Sequence, residues 1–438
     1  MRRAFPVPFF VLLMGLVWAF LPSTPVNSQF ATNTPAPSGG FSFATNTPDV
    51  SPTPSLTPTA TATVTPSATP TFTPTATFTP TQTPSPTPTR VGPFSYPEGF
   101  NPLTGLTYPN EEARQRRNLI VKISNYPPLV RPQTGVNMAD VVYEYEVEGG
   151  VTRFAAIYRS QTPPLVGSVR SARLLDIELT IMYQGLLAYS GTSEPIQNLL
   201  RAAPFAYRLI SPSLGNNCED AGFCRYEQEG KPFEHTLFAE PAKLWANAAR
   251  RGGDTNQGYQ ARGFAFSEVA DPNGAPAVDV SINWYGAIKA RWQYDDRTGR
   301  YVRYTDDQPH YDAGDGEQLW ADNVVILEAP HVRRPDLFPP GATYESIEIQ
   351  LWEQGRAYVV RDGVSYVGFW RRQNREAGSA IQLIYGNNTP IMLKPGRTWV
   401  SIVRGFGDVS INATRADMAA TAAAVALTPS PTPFNDGD

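Results

Sequence analysis

The stretch that decides the fold is VVYEYEVEGGVTRFAAIYRSQTPPLVGSVRSARLLDIELTIMYQGLLAY, from Val141 to Tyr189. Two runs of alternating apolar residues flank Gly149-Gly150. A diglycine in that setting is the signature of a two-residue β-hairpin, whose central residues need positive φ. Such a loop sets Glu148 opposite Val151, Glu146 opposite Arg153 and Glu144 opposite Ala155. Period-two alternation then puts Glu144, Glu146 and Glu148 on one face, with Arg153 arriving among them. The row reads either as a ligand-orienting cluster or as a solvated, charge-paired sheet face whose exposed ion pairs are weak.

In the second half of the stretch, Leu174, Ile177 and Ile181 recur at helical spacing and Gly185 stands where a helix would stop. This predicts a helix over 172–184 with Ser171 as its N-cap. Arg170, Ser171 and Arg173 then gather at the helix entrance, where free N–H groups and two guanidinium groups make an anion site. The competing reading sends both arginines back to the hairpin acids as a structural ion-pair network.

Outward from there, NLIVKISNY (118–126) reads as a strand and LLAYSG (186–191) as a short buried strand. Ser193-Glu194-Pro195 starts another helix, with proline inside its first turn. Strand, hairpin, helix, strand, helix predicts an α+β module, a mixed or antiparallel sheet with helices on one side, over 100–252. A polar connector over 253–277 leads to a β-rich second module over 278–412, where short alternating runs are joined by turns such as Arg297-Thr298-Gly299 and Asp362-Gly363. The tryptophans in these modules read mainly as core residues, with sugar stacking as the competing use.

At the start of the chain, Arg2 and Arg3 precede an apolar segment from Phe9 to Leu21, the layout of a secretory signal or a marginal membrane anchor over 1–28. From 29 to 99 the chain is dominated by Thr, Pro, Ser and Ala, with Asp49 the sole charge between Ala31 and Arg90. Too few bulky apolar residues are present to offset ordering entropy, so a disordered stalk is expected. Some 60 residues of polyproline II reach on the order of 180 Å. The tail, 413–438, repeats that chemistry. In an exported chain, Cys218 and Cys224 most simply form a disulfide, because a metal site would want more ligands nearby than His235. His310, Asp312, Asp315 and Glu317 crowd one polar loop but match no ligand motif. No cofactor and no metal are expected.

The runs NPLTGL from Asn101, RPQTGVNMADVVYEYEVEGGVTRF, VGSVRSAR, WQYDDRTGRYVRYTDDQPHYD and NVVIL resemble the YerB-like family of bacterial lipoproteins, and the resemblance extends from about Asn101 to Val403. It implies two consecutive modules outside the cytoplasmic membrane and supplies no reaction. It also singles out His235, His310 and Asp312 for testing. The chain departs from the lipoprotein pattern in one respect, for no cysteine follows the apolar segment to carry a lipid.

The net charge of −4 and the lack of a basic, aromatic-interleaved patch argue against a nucleic-acid partner. Membrane contact is expected only through the N-terminal segment. Two functional classes remain. One is a non-enzymatic binding or scaffold module for an anionic or glycan envelope component, with Arg153, Arg170 and Arg173 on the anion and Glu144 and Glu148 orienting them. The other is an envelope hydrolase or phosphoryl-type transferase acting on wall polymer, with arginine-stabilised charge and Glu144, Glu148 or His235 as acid or base.

Overall fold

Strands covered on both faces need apolar side chains at successive positions, and every residue of β1 (Leu119–Ser124) and β2 (Val141–Glu146) is buried. The computed structural model describes residues 89–252, 261–285, 287–338, 341 and 343–416; the signal-like segment, the stalk through residue 88, part of the connector and the tail from 417 lie outside them. The strands continue with β3 (Thr152–Tyr158), β4 (Leu186–Ala188), β5 (Leu209–Ile210), β6 (Asp279–Trp284), β7 (Ile288–Asp295), β8 (Arg300–Thr305), β9 (Asn323–Glu328), β10 (Glu353–Arg361), β11 (Val364–Arg372), β12 (Thr398–Val403) and β13 (Val409–Asn412). The principal helices are α1 (Leu174–Tyr183), α2 (Glu194–Ala202) and α3 (Pro241–Arg250).

One mixed sheet runs β11-β10-β9-β12-β2-β3-β1-β4-β5, with Ala275–Pro276 and Gln382–Ile384 added on β11. The two modules therefore share it. Their joint is β12 lying parallel to β2, Trp399 beside Val142 and Ser401 beside Glu144. A second antiparallel sheet, β8-β7-β6-β13, takes the short strands Gln308–Pro309 and Trp320–Ala321 on β8. The fold is α+β with a β-rich C-terminal half.

Each face of the shared sheet is a core. On one, α1 (Leu175, Leu179, Met182) and α2 (Ile196, Leu200) bury Ile120, Tyr143, Ile157, Val325 and Val400. On the other, the second sheet (Val280, Ile282, Trp292, Tyr301) and α3 (Leu244, Trp245) bury Val121, Val142, Phe154, Val324 and Trp399. Two apolar faces need two covering layers, which explains a helical layer on one side and a sheet with one helix on the other. The tryptophan rings serve this packing: Trp399 meets Trp292 and Phe154 edge-on, each at 5.0 Å between centroids.

Order starts ahead of the expected boundary at 100, since Arg90–Val91 pairs with Phe266–Ser267 from within the expected connector. Cys218 and Cys224 are joined as a disulfide.

Candidate functional site

The hairpin at the centre of the sequence reading has a longer loop than expected. β2 ends at Glu146, β3 begins at Thr152, and the Val147 N–H donates to the Val151 carbonyl at 2.8 Å. Gly149 and Gly150 both adopt positive φ, 82° and 74°, within a 3₁₀ turn. The register becomes Glu144 with Phe154, Tyr145 with Arg153 and Glu146 with Thr152. A one-residue slip sends side chains to the opposite face. The expected placement of Arg153 among Glu144 and Glu146 is therefore corrected: Arg153 shares the helix-covered face with Tyr145, and the two glutamates face the second sheet.

On the helix-covered face a cluster forms at the mouth of α1. β1 contributes Lys122, which pairs with Ala155, while Ser124 pairs with Arg153. α1 starts at Leu174 with Arg173 in the N-cap position, so Ser171 is not the cap. Asp176, three residues on, reaches back to the Arg173 N–H at 2.7 Å and takes the helix-end donor that the sequence reading offered to an anion. The other Asp176 oxygen accepts from the Tyr145 hydroxyl at 2.6 Å and lies 3.2 Å from Lys122 Nζ. Lys122 also donates to that hydroxyl. Burial pushes the Lys122 ammonium down and Asp176 draws it back up, leaving a pKa of about 8.

The guanidinium groups surround this buried trio. Arg173 pairs with Glu148, and Arg153 donates to the Ser171 carbonyl at 3.1 Å. Arg170 is buried, and its backbone N–H donates to the Lys122 carbonyl at 3.0 Å. Burial, then the charges of Arg173 and Arg170, push the Arg153 pKa well below its ordinary value, with Glu148 opposing them. For Glu148, burial raises the carboxyl but Arg173 and Arg153 outweigh it and hold it below the usual range. Lys122 and Arg173 hold Asp176 and Glu148 as ion-pair partners, with Arg153 and Arg170 close by. Arg153, Ser171 and Arg173 are half-buried, so the cluster has an opening to solvent.

Glu144 belongs to a different assembly. Its carboxylate takes both Arg303 nitrogens, at 2.8 and 2.9 Å, with both side chains fully buried. Thr152, Asn125 and the Trp399 indole also donate to it, at 2.9, 3.3 and 3.2 Å. Glu146 pairs with Arg404 at 2.7 and 2.9 Å on the same side. His310 joins the Glu144 assembly through Arg303 and Thr305, and its Nε2 meets the side-chain amide oxygen Oε1 of Gln133 at 2.5 Å. Burial, and then Arg303 and Arg131, push its pKa well down, so the ring is neutral. Asp312 accepts from the backbone N–H groups of Gly135, Asn137 and Gly314 at 2.7–2.8 Å. His310 and Asp312 thus clamp the 133–137 loop to the C-terminal half. His235 is buried, with Nε2 3.7 Å from Glu234. It enters beside the helix-mouth segment, where the Leu237 carbonyl accepts from the Val169 N–H at 2.7 Å.

Of the sequence candidates, the fold gathers Arg153, Arg170, Ser171, Arg173 and Glu148, and separates Glu144, His310 and Asp312 from them. Sequence reasoning missed Lys122, Tyr145, Asp176 and Arg303. A lysine inside the apolar run LIVKIS was the available signal for the first, and an acid three residues after Arg173 for the third.

Comparison with known proteins gives this arrangement a family. Residues 103–254 match the N-terminal domain, and residues 280–400 the C-terminal domain, of a protein family of unknown function, DUF3048. The chain belongs to this YerB-like family. It is 27% identical to the putative lipoprotein YerB of Bacillus subtilis (strain 168) over 312 residues, 71% of this chain and 88% of that protein. The crystal structure of the YerB protein from Bacillus subtilis shares the fold, with a TM-score of 0.60 at 24% identity, covering 72% of this chain and 99% of that one.

Proposed function

We propose that the chain is a binding module working outside the cytoplasmic membrane, with no catalytic step, that takes an anionic group of an envelope component at the mouth of α1. The carrying observation is the gathering itself: Arg173 and Arg170 stand close enough to disfavour the charge on Arg153, beside the buried Lys122 ammonium and with Glu148 engaged by Arg173. An anion in that opening relieves the repulsion and receives charge-assisted hydrogen bonds. The location outside the membrane is supported by the signal-like N-terminus and by the relative's description as a putative lipoprotein. Among the described residues no helix is long and apolar enough to cross a membrane.

The hydrolase or transferase alternative needs a carboxylic acid held protonated near neutral pH. Glu148 is held low, and Glu144 is locked against Arg303, which favours binding over catalysis. The test is thermal unfolding of the full chain with and without inorganic phosphate or phosphate-bearing wall fragments. At a hundredfold excess over Kd an occupied site adds about 2.7 kcal/mol. The rise in Tm is expected to vanish in Arg170→Ala and Arg153→Met; an unchanged rise in both rules out the proposed contact.

A further inference from the structure

At the opposite end of the shared sheet from β5, the surface has a different character. Along β11 the side chains alternate, Tyr366, Gly368 and Trp370 buried and Val367 and Phe369 exposed, at 66% and 39% for the last two. The outer edge of β11 is paired at Val364 and Ser365 by Ala275–Pro276, and at Phe369 to Arg371 by Gln382–Ile384. Between these pairings opens a cleft of about 610 Å³. That is within the roughly 300–1,000 Å³ of small-molecule sites.

The walls of the cleft are amphipathic. Tyr385 and Tyr366 meet edge-on at 6.3 Å between centroids, and Pro272 and Pro390 continue the apolar lining. Asp271 ties the rings together, accepting from the Tyr385 hydroxyl at 3.0 Å through its side chain and from the Tyr366 hydroxyl at 2.6 Å through its carbonyl. Arg90 stands 3.6 Å from the same carboxylate, so the cleft carries a cation and an anion that offset each other. Asn273 and Asn387, both exposed, add amide donors and acceptors at the rim.

An electroneutral cleft with ring and aliphatic surface on one wall and planar polar groups on the rim does not select an anion or a purely apolar ligand. It matches a molecule with an apolar C–H face and peripheral hydroxyls. We propose that this cleft is a subsite for a neutral saccharide, which lays a pyranose face against Tyr385 and Pro390 and presents hydroxyls to Asn273, Asn387 and Arg90. The subsite stands independently of the arginine cluster.

The test is titration calorimetry of the full chain with two neutral probes, β-1,4-linked N-acetylglucosamine trisaccharide and maltotriose. Saturable binding of either is expected, and the preferred probe tells which linkage the cleft takes. Thr389→Arg, which fills the cleft from an exposed lining position, is expected to weaken binding by about tenfold or more. Tyr385→Ala should do the same, and Arg153→Met should leave the sugar isotherm unchanged. No saturable binding of either probe at millimolar concentration overturns the proposal, as does binding that Thr389→Arg leaves intact. Loss of sugar binding in Arg153→Met would also overturn it, by moving the sugar to the helix mouth.

Discussion

Replacing Glu144 with Gln separates stability from binding. Oε2 of Glu144 takes Arg303 Nη1 at 2.8 Å and the Trp399 indole at 3.2 Å; Oε1 takes Arg303 Nη2 at 2.9 Å, Thr152 at 2.9 Å and Asn125 at 3.3 Å. Every neighbour is a donor. A glutamine amide must therefore turn its NH₂ towards N–H or O–H groups whichever way it flips, and the Arg303 guanidinium is left in the core with no counter-charge. Removing one partner of a fully buried pair costs about 3–5 kcal/mol. The rings of Trp399, Trp292 and Phe154 lie 4.6, 5.2 and 5.4 Å from the Arg303 guanidinium carbon with or without the carboxylate, so their contacts cancel from the difference. A net loss of about 3–5 kcal/mol is therefore expected. Equilibrium urea unfolding measures it. Arg303→Met on the Glu144→Gln background removes the stranded charge, so the double variant should be more stable than the sum of the singles by about 2 kcal/mol. The phosphate-dependent rise in Tm should survive in Glu144→Gln, because Glu144 faces away from Arg153. A loss under about 1 kcal/mol, or loss of the phosphate response with the fold intact, would refute the reasoning.

Two further outcomes follow from the geometry. Lys122 holds a pKa of about 8 in the fold against 10.5 unfolded. Between those values the unfolded chain binds more protons, so stability rises with pH, by about 2 kcal/mol from pH 8 to 10. Above pH 10 the buried tyrosines, whose folded pKa values are raised, pull the other way. The urea midpoint should climb across pH 8–10 in the natural chain and stay flat in Lys122→Met; equal slopes would discount Lys122. Reduction of Cys218–Cys224, which closes a loop with a sequence separation of 6, should cost about 2 kcal/mol, read as a lower urea midpoint in dithiothreitol.

Much of this architecture is legible in the sequence, because strand alternation and helix spacing report burial directly. The run LIVKIS, the hairpin strands and the helix after Arg173 all form close to where their patterns put them. The hairpin reading fails in its loop. A diglycine fits a two-residue turn and also the five-residue connection found here, since both need positive φ, and strand patterns in which both faces are buried cannot choose between registers one residue apart. VVYEYE and TRFAAIY are of that kind: with cores on both sides, neither face is marked as the wet one. That ambiguity moved Arg153 from the glutamates to Tyr145. The joining of β12 to β2 was illegible for another reason, since parallel pairing over some 250 residues leaves no local trace.

The same strand ties both halves of the fold to the candidate site. β2 sends Tyr145 to the arginine cluster and Glu144 to the second sheet, so whatever fixes Glu144 also fixes the strand that presents the candidate site. Much of that fixing comes from the C-terminal half, through Arg303 from β8, Trp399 from β12, and His310 and Asp312 acting on the loop that precedes β2; Thr152 and Asn125 add to it from the N-terminal half. Buried ion pairs add little net stability compared with apolar packing, but they discriminate sharply between registers, because a one-residue slip strands a charge. In this fold Glu144 and Arg303 reinforce a register that the ladders of β2 with β3 and β12 also hold, so the site outlasts the loss of the pair. The helix-mouth cluster depends on that register, and the C-terminal half supports it through the sheet, where Ile402 of β12 lies beside Tyr145.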